Sequence, residues 1–240
     1  MADCVENNGT GEGSGKEIWQ IAIDGPSGSG KSSAAKKIAQ ATGIDYVDTG
    51  AMYRAIALKI LQSGVSVDEN SDPGLTGLKK LLDGADVEFK AGKTFLDGAD
   101  VSLLIRTPDV TSMASLSSAL EIVREKLVAL QKKMGERRSV VADGRDIGTN
   151  VFPGAKFKFF LTASPEVRAK RRYDEMAASG ANQSFEEVLA DINKRDYDDS
   201  HRKLNPLVMA EDAILVDTED MDADQVVSLM LKYVFSDTQA

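Results

Sequence analysis

The sequence predicts an α/β fold in which a five-stranded parallel sheet lies between layers of helices. Three observations support this prediction. Five short apolar runs alternate with helical patterns along the 240 residues. A glycine-rich turn joins the first run to an Ala- and Lys-rich helical segment. Four of the five runs end at an aspartate. Such an alternation favours parallel strands with helices on both faces of the sheet.

The apolar runs predict strands, in order, at 18–24, 45–48, 140–143, 157–162 and 213–217. Ligands of open α/β sheets bind outside the carboxyl ends of the strands. We therefore expect functional roles for Asp48 and Asp143, which end two of these runs. Asp217 is expected only to begin a turn, which is common for aspartate.

One segment departs from the alternation. Three short runs, at 87–89, 93–96 and 99–101, are separated by Ala91-Gly92 and Asp97-Gly98, which are residue types of tight hairpin turns. The sequence therefore predicts a small antiparallel β insert over about 64–106. Further on, apolar residues at spacings of three and four predict one helix over 117–134, with Arg124 beside its buried stripe.

The composition argues against several classes of protein. A net charge of −9 leaves no broad basic face, so a nucleic acid or an anionic membrane is not an expected partner. The single cysteine, Cys4, allows no internal disulfide and indicates a reducing compartment. No apolar run approaches the roughly 20 residues of a membrane helix. Residues 1–16 lack apolar periodicity and are expected to form a disordered tail ahead of one domain over 17–240.

The most specific motif lies at 25–32, where Gly-Pro-Ser-Gly-Ser-Gly-Lys-Ser fits the phosphate-binding loop (P-loop) pattern G-x-x-x-x-G-K-[ST]. Its glycines let backbone N–H groups surround a phosphate, and the following helix adds its positive end. Lys31 is expected to reach the β- and γ-phosphates of ATP, and the Ser32 hydroxyl to bind Mg²⁺. The predicted ATP-binding residues are Gly25, Pro26, Ser27, Gly28, Ser29, Gly30, Lys31, Ser32 and Ser33.

Two other strand-to-helix turns carry charged residues. In the first, Asp143 suits the positioning of Mg²⁺-bound water, and the guanidinium fork of Arg145 suits phosphate oxygens. A polar turn with an internal Arg–Asp pair is the alternative interpretation. In the second turn, Thr49 is expected to cap the following helix. Arg54 lies one turn into that helix and by itself is typical of a solvated surface residue.

Two helices in the last third of the chain are rich in charge. Ser164-Pro165 begins the first, which carries three arginines at spacings that place them on one face: Arg168, Arg171 and Arg172. That face either binds an anion or is a solvated basic surface. A capping box at 184–187 begins the second helix, which leads to Arg195. The small residues at 177–182 between the helices predict a mobile flap that closes over a reaction.

Two features are expected to carry no catalytic role. His201, the only histidine, lies in a charged segment and is typical of a surface residue. Residues 193–196 spell N-K-x-D, the guanine-recognition motif of GTPases, but they end a helical pattern where that motif follows a strand. A nucleotide-binding switch without catalytic turnover is therefore the less favoured hypothesis.

Together these residues resemble the bacterial-type cytidylate (CMP/dCMP) kinases, which are P-loop proteins of the nucleoside monophosphate kinase family. The resemblance covers nearly the whole chain from Ile18 on. It rests on the joint order and spacing of IDGPSGSGKS at 23–32, DTGAMYRA at 48–55, IRTPDV at 105–110, ADGRDIGTNVFP at 142–153, RAKRR at 168–172 and KRDYDDSHRKLNPL at 194–207.

The resemblance implies an enzyme that transfers the γ-phosphoryl group of Mg-ATP to CMP or dCMP, giving ADP and CDP or dCDP. It implies a P-loop three-layer fold whose core is 17–63, 107–172 and 191–240, with a monophosphate-binding insert at 64–106 and a helical lid at 173–190. A P-loop kinase acting on another small molecule, such as a different nucleotide, shikimate or dephospho-coenzyme A, is the alternative. The enzyme is expected to be monomeric and cytoplasmic, or organellar (for example in the plastid stroma) if the tail is a processed end.

The resemblance also implies roles for individual residues. Cytosine is read by Ser115, Arg124 and Asp146, and the sugar hydroxyls by Asp199. The acceptor phosphate is held by Arg54, Arg145 and Arg202, with Thr49 nearby, and Arg106 joins the CMP-binding set. The lid residues Arg168, Arg172 and Arg195 close on the transferring phosphoryl group. With Lys31, Asp143 and Arg145, these three complete the predicted catalytic set. Asp198 stands where other members carry a further arginine.

Overall fold

The structure is a computed structural model that describes residues 18–68, 72–90, 92–178, 180 and 182–236. The predicted tail at 1–16 lies outside the described residues. None of the described helices combines the length and the apolar character needed to cross a membrane.

The main sheet has five parallel strands in the order β2-β6-β1-β7-β8. They are β1 (Gln20–Asp24), β2 (Asp45–Asp48), β6 (Val140–Gly144), β7 (Phe157–Thr162) and β8 (Ile214–Asp217). All five predicted strands are confirmed, although β1 begins two residues late and Ile18 is exposed. Because the strands are parallel, their carboxyl ends meet at one edge of the sheet.

Eight helices of the described chain surround this sheet: α1 (Lys31–Thr42), α2 (Thr49–Ser63), α3 (Asp72–Asp83), α4 (Pro108–Ser117), α5 (Glu121–Arg137), α6 (Pro165–Ala178), α7 (Phe185–His201) and α8 (Ala223–Ser236). Successive side chains of β1 point to opposite faces of the sheet and belong to two separate hydrophobic cores. Ile21 packs with Ile38 of α1 and Met230 of α8 on one face. Ala22 packs with Met52 of α2 and Leu127 of α5 on the other. This arrangement confirms the three-layer α/β prediction.

A second, three-stranded antiparallel sheet contains β3 (Val87–Lys90), β4 (Lys93–Leu96) and β5 (Ala99–Asp100). Asp97 and Gly98 have φ of 51° and 80°, so both central residues of the second hairpin turn are left-handed, which such two-residue turns require. The antiparallel prediction is confirmed. Val87 and Leu96 are buried in the α2 core, so this sheet packs against the main body of the protein.

The helix predicted over 117–134 is confirmed over 121–134 but begins later than predicted, because the chain breaks between α4, which ends at Ser117, and α5, which begins at Glu121. The Ser118 hydroxyl donates to the Ser115 carbonyl, and Leu120 is extended with ψ of 128°. Serine side chains compete in this way with helical backbone bonds. Leu116 is 54% exposed, so the buried stripe does not include it. The break places Arg124 in the first turn of α5.

Asp24, at the end of β1, fixes the turn that follows β6. Its two carboxylate oxygens accept hydrogen bonds from the backbone N–H groups of Ile147 (2.8 Å) and Gly148 (2.7 Å). These residues begin a π-helical turn, Ile147–Val151, directly after Asp146. Burial raises the pKa of Asp24 to about 6, although the two backbone hydrogen bonds oppose the increase.

Replacing Asp24 with Asn should change how the free energy of unfolding depends on pH. Between pH 3.8 and about 6 the folded protein keeps a proton on Asp24 that the unfolded chain has lost, so stability falls as pH rises. That difference in pKa corresponds to about 3 kcal/mol. Between pH 4 and pH 7, the free energy of unfolding of the wild type should fall relative to that of the variant by an amount of this order, as measured by urea unfolding. A pH-independent difference between the two proteins would contradict the assignment.

Candidate active site

The phosphate-binding loop leaves the end of β1 and begins α1, as its motif predicts. A Cβ atom on Gly25 would lie 2.0 Å from the carbonyl oxygen of Leu161, so the approach of the two backbones requires glycine. Gly30, with φ of 88°, precedes α1 and provides no side-chain cap to its first turn. The loop and the positive end of α1 therefore form a site suited to an anion.

Lys31 lies buried inside this loop. Its ammonium donates to the carbonyl oxygen of Pro26 and to the hydroxyl of Ser29, at 3.2 Å for the latter. Burial lowers the pKa of Lys31 to about 7, and the neighbouring Arg145 cation contributes to the decrease. A phosphate group in the loop would favour the charged ammonium and raise this pKa again.

Asp143, at the end of β6, accepts hydrogen bonds from two hydroxyl groups. The Ser32 hydroxyl donates to Oδ2 at 2.7 Å, and the Tyr46 hydroxyl donates to Oδ1 at 2.7 Å. Burial and the charge of Asp48 raise the pKa of Asp143, and these two hydrogen bonds partly offset the increase. A serine hydroxyl beside a carboxylate offers the hard oxygen groups that Mg²⁺ prefers, so the predicted Ser32–Asp143 pair fits the ion.

Tyr46 is a residue of the site that was not predicted from the sequence. It lies on β2 and points to the same side of the sheet as Asp48, two residues later, and Asp48 is paired in register with Asp143 of β6. The spacing of two residues between Tyr46 and Asp48 indicates that they share a face of the strand. This spacing points to a contact with Asp143 only once the order of the strands, with β2 beside β6, is known.

A connected cluster of ion pairs lies next to the loop; we call it the acceptor cluster. Arg124 binds Asp146 at 2.6 Å, and Arg202 binds the other oxygen of Asp146 at 3.1 Å. Arg202 also lies 3.6 Å from Asp199, which binds Arg145 at 2.6 Å. The structure thus brings together five residues that the sequence predicted for the acceptor.

Burial and ion pairing act in opposite directions on the pKa values of Asp199, Arg145 and Arg202. Burial acts to raise the pKa of Asp199, but the Arg145 cation and its hydrogen bond lower it overall. Burial acts to lower the pKa of Arg145, and Asp199 outweighs that effect so that the pKa is raised. Burial and the charge of Arg124 lower the pKa of Arg202. The carboxylate of Asp199 therefore outweighs burial for Arg145, whereas burial and like charge outweigh the carboxylates around Arg202.

The turn before α2 differs from its prediction in one respect. Asp48, not Thr49, caps the helix, because the Asp48 carboxylate accepts from the Ala51 N–H at 2.8 Å. The Thr49 hydroxyl instead donates to the Asp143 carbonyl at 2.6 Å and joins α2 to β6. Arg54 pairs with Asp48 at 3.3 Å, with its side chain three-quarters covered.

Two residues predicted for the acceptor lie outside the acceptor cluster. Ser115, on α4, and Arg106, in the 3-10 turn Leu104–Arg106, are both exposed. Within the described part of the chain, neither side chain has a hydrogen bond or ion pair with a cluster residue. Tyr53 is nearer to the cluster: the guanidinium of Arg124 lies over its ring at 5.7 Å from the centroid.

The three arginines of α6 each take a different partner in the structure, and the binding of an anion by this face stays a prediction. Arg168 is 3% exposed and pairs with Asp196 at 2.7 Å. Arg171 donates to the hydroxyl of Thr218, at 3.0 Å, and to its carbonyl oxygen. Arg172 reaches outward to Glu175. The long side chains diverge because each finds a different acceptor next to the helix.

Arg195, on α7, lies close to other cations of the site. Burial lowers its pKa, and the charges of Arg172 and Arg145 contribute to the decrease. Among the described residues, no hydrogen bond or ion pair neutralises its guanidinium directly. Arg145 lies close to both Arg195 and Lys31, so positive charge gathers where a polyphosphate would be favoured.

The two features expected to lack a catalytic role lie on α7. Residues 193–196 are helical, so the N-K-x-D spelling does not follow a strand. His201 is exposed and stacks on the Tyr197 ring with centroids 4.0 Å apart. The capping box predicted for this helix is present, with Ser184 and Glu187 bonded reciprocally.

A P-loop at the carboxyl edge of a parallel sheet, a Ser–Asp pair suited to Mg²⁺ and a neighbouring arginine cluster define the P-loop phosphotransferase class. The cytidylate kinase family model matches residues 21–236. The chain belongs to the cytidylate kinase family.

Similar proteins agree over nearly their full lengths. A cytidylate kinase of Caldanaerobacter subterraneus subsp. tengcongensis is 46% identical over 220 residues, which cover 92% of this chain and 96% of that protein. A cytidylate kinase of Clostridium perfringens is 44% identical over 218 residues, covering 91% and 98%. A solved structure of an uncharacterized protein from Eubacterium ventriosum, 16% identical, covers 92% of this chain and 99% of its own with a TM-score of 0.51, and supports the fold alone. These findings confirm the family and the kinase class expected from the sequence.

Replacing Tyr46 with Phe should destabilise the protein, because it removes one hydroxyl and leaves Oδ1 of the buried Asp143 without its donor. The expected loss in free energy of unfolding is about 1 to 3 kcal/mol. The matched control is Tyr233→Phe, at a partly exposed tyrosine on α8. Urea unfolding of both variants measures the effect. Equal, negligible losses would show that the Tyr46–Asp143 bond carries no energy.

Proposed function

We propose that this enzyme transfers the γ-phosphoryl group of ATP to CMP or dCMP, giving ADP and CDP or dCDP, with the residues of the described site in the following roles. One observation carries the proposal. The P-loop lysine, Lys31, lies within electrostatic reach of Arg145 and Asp199, which belong to the acceptor cluster. A donor polyphosphate and an acceptor monophosphate would therefore meet at one buried place.

On the donor side, the P-loop backbone and Lys31 bind the β- and γ-phosphates of ATP. Ser32 and Asp143 would hold Mg²⁺, with the Ser32 hydroxyl as ligand and Asp143 as acceptor for bound water. When bound, Mg²⁺ neutralises phosphate charge. The Ser32–Asp143 bond at 2.7 Å and the burial of Asp143 support these roles.

On the acceptor side, Arg145 and Arg202 hold the monophosphate, with Arg54 and Thr49 at the edge of the site. Asp199 takes the sugar hydroxyls, and Arg124 with Asp146 reads the cytosine. Burial supports these assignments, because a base-reading pair discriminates strongly only where unmet hydrogen bonds are costly. Ser115 and Arg106 would join this set only after the segment that carries them moves toward the acceptor cluster.

The reaction itself requires little covalent help from the protein. Two anions must be aligned for in-line attack while charge on the transferring group is neutralised. Lys31, Arg145, Arg172 and Arg195 supply positive charge, and closure of the lid at 173–190 would exclude water. The guanidinium of Arg168 already binds the carbonyl oxygens of Ala163 and Ser27 and the carboxylate of Asp196. Its contribution to neutralising the charge of the transferring phosphoryl group would therefore be indirect.

Other expectations stay predictions. They are a monomeric state, a cytoplasmic location, an insert at 64–106 and a lid at 173–190. Transfer to another acceptor, such as shikimate, is less favoured, because the relatives that match nearly the whole chain are cytidylate kinases.

The proposed activity is tested by initial rates of ADP formation from Mg-ATP with CMP, dCMP, UMP, AMP, GMP and shikimate as separate acceptors. Rates for CMP and dCMP far above the others are expected, because Arg124 can donate to the ring acceptors of cytosine while Asp146 accepts from its amino group. A flat profile would reject the cytidylate assignment and favour a nucleotide-binding role without turnover.

Replacing Arg145 with Ala should lower kcat/KM for CMP by a factor on the order of 10³, because one phosphate-binding guanidinium is lost. Arg145→Lys should recover only part of the rate, since an ammonium lacks the bidentate fork. Arg138→Ala, at an exposed pair with Asp45, is the control and should leave the rate unchanged. Normal CMP turnover in folded Arg145→Ala protein would remove Arg145 from the site.

A further inference from the structure

Arg168 joins three segments of the protein that are distant in sequence. Its Nε donates to the carbonyl oxygen of Ala163 at 2.8 Å, at the connection between β7 and α6. One terminal nitrogen donates to the carbonyl oxygen of Ser27 in the P-loop at 3.0 Å. The same nitrogen pairs with the Asp196 carboxylate of α7 at 2.7 Å. Arg168 is almost wholly buried, so these contacts are poorly screened by water.

The P-loop and α6 are in direct contact at this place. A Cβ atom on Gly28 would lie 3.1 Å from both the Cβ and the carbonyl oxygen of Arg168, and Gly28 has φ of 77°. There is thus almost no free space between the loop and the helix. A rearrangement of the loop around a nucleotide would be transmitted to α6 through packing and through the Arg168–Ser27 bond.

Helix α7 contacts both parts of the site from successive turns. Asp196 faces Arg168 and, through it, the P-loop. Asp199, three residues on, pairs with Arg145, and Arg202, three residues further, pairs with Asp146. A spacing of three keeps neighbours close along a helix. The same helix therefore holds the acceptor cluster at its carboxyl end and, through Asp196 at most two turns earlier, Arg168, which contacts the P-loop.

The environment of Asp196 indicates that its carboxylate charge interacts with neighbouring arginines. Only Oδ2 is paired, and the buried Oδ1 has no hydrogen-bond partner among the described residues. A half-satisfied carboxylate costs stability unless its charge interacts with a neighbouring cation. The cation in contact is Arg168. Asp196 also helps to raise the pKa of the nearby Arg145, after the larger effects of burial, Asp199 and Asp143.

We propose that Asp196 is a positioning residue whose ion pair with Arg168 couples the P-loop to α7, so that each nucleotide strengthens the binding of the other. This inference rests on the proposed function, because it takes the P-loop as the ATP site and the acceptor cluster as the CMP site. Binding at the P-loop fixes α6, the Arg168–Asp196 pair then fixes α7, and α7 orders Asp199 and Arg202 for the acceptor. Such coupling is reciprocal by thermodynamic necessity.

The test compares Asp196→Asn with Asp198→Asn. Both changes remove one charge from α7, but Asp198 is half-exposed and, among the residues that the structure describes, its ion pair is with Lys194 on the surface. Calorimetry gives the affinity of CMP with and without a non-hydrolysable ATP analogue. In the wild type and Asp198→Asn the analogue should strengthen CMP binding at least about fivefold. In Asp196→Asn this factor should fall toward one, and kcat should drop by up to about 100-fold because the two substrates are misaligned.

A double variant separates positioning from general loss of structure. In an Arg168→Met background, Asp196→Asn should change the coupling factor no further, because the partner through which it acts is gone. Should Asp196→Asn prove unfolded, Asp196→Glu, which keeps the charge but shifts it by one methylene, should lower the coupling factor with both separate affinities retained.

Three results would overturn the inference: no coupling in the wild type, an unchanged coupling factor in Asp196→Asn or Asp196→Glu, or equal effects of the substitutions at 196 and 198. If Asp196 had a purely structural role, its replacement would lower the unfolding temperature. It would also lower the affinity for CMP by the same factor with and without the ATP analogue, so the coupling factor would not change. Failure of the proposed function is distinct, since wild-type protein would then form no ADP with CMP.

Discussion

Gathering several cations in a poorly solvated space is the constraint on which the rest of this structure depends. Lys31, Arg145 and Arg202 lie near one another, and buried like charges oppose folding unless carboxylates offset them. The protein meets this need with Asp146 and Asp199, which accept hydrogen bonds from the arginines. The same arginines would exchange these carboxylates for phosphate oxygens of a substrate.

The parallel sheet makes that arrangement possible by bringing strand ends together. Register places Asp48 beside Asp143 and Asp24 beside Gly144, so three strands deliver carboxylates to one edge. Their roles nonetheless differ. Asp143 receives the Ser32 and Tyr46 hydroxyls, Asp48 caps α2, and Asp24 binds backbone N–H groups of the turn after Asp146. A shared position at the end of a strand does not imply a shared function.

Helix α7 is both a structural element of the fold and a source of residues for the site. Its start is fixed by local chemistry, through the reciprocal bonds of Ser184 and Glu187. Its last turns carry Asp196, Asp199 and Arg202 into three ion pairs with other elements. Because these pairs join α7 to α6 and to the turn after β6, the placement of α7 depends on charges that the site also uses.

The sequence by itself determined the features that follow from local chemistry. The P-loop motif, the five strands, the hairpin at Asp97-Gly98 and the capping box of α7 are encoded over a few neighbouring residues, and all are present. The sequence did not determine the break before α5, which depends on a serine competing for a backbone carbonyl. It did not determine that Asp48 rather than Thr49 caps α2, or that Arg168, Arg171 and Arg172 diverge. Only the tertiary structure decided which partner each polar side chain takes, because residues such as Tyr46 and Asp143 are 97 positions apart and meet only after the strands have paired.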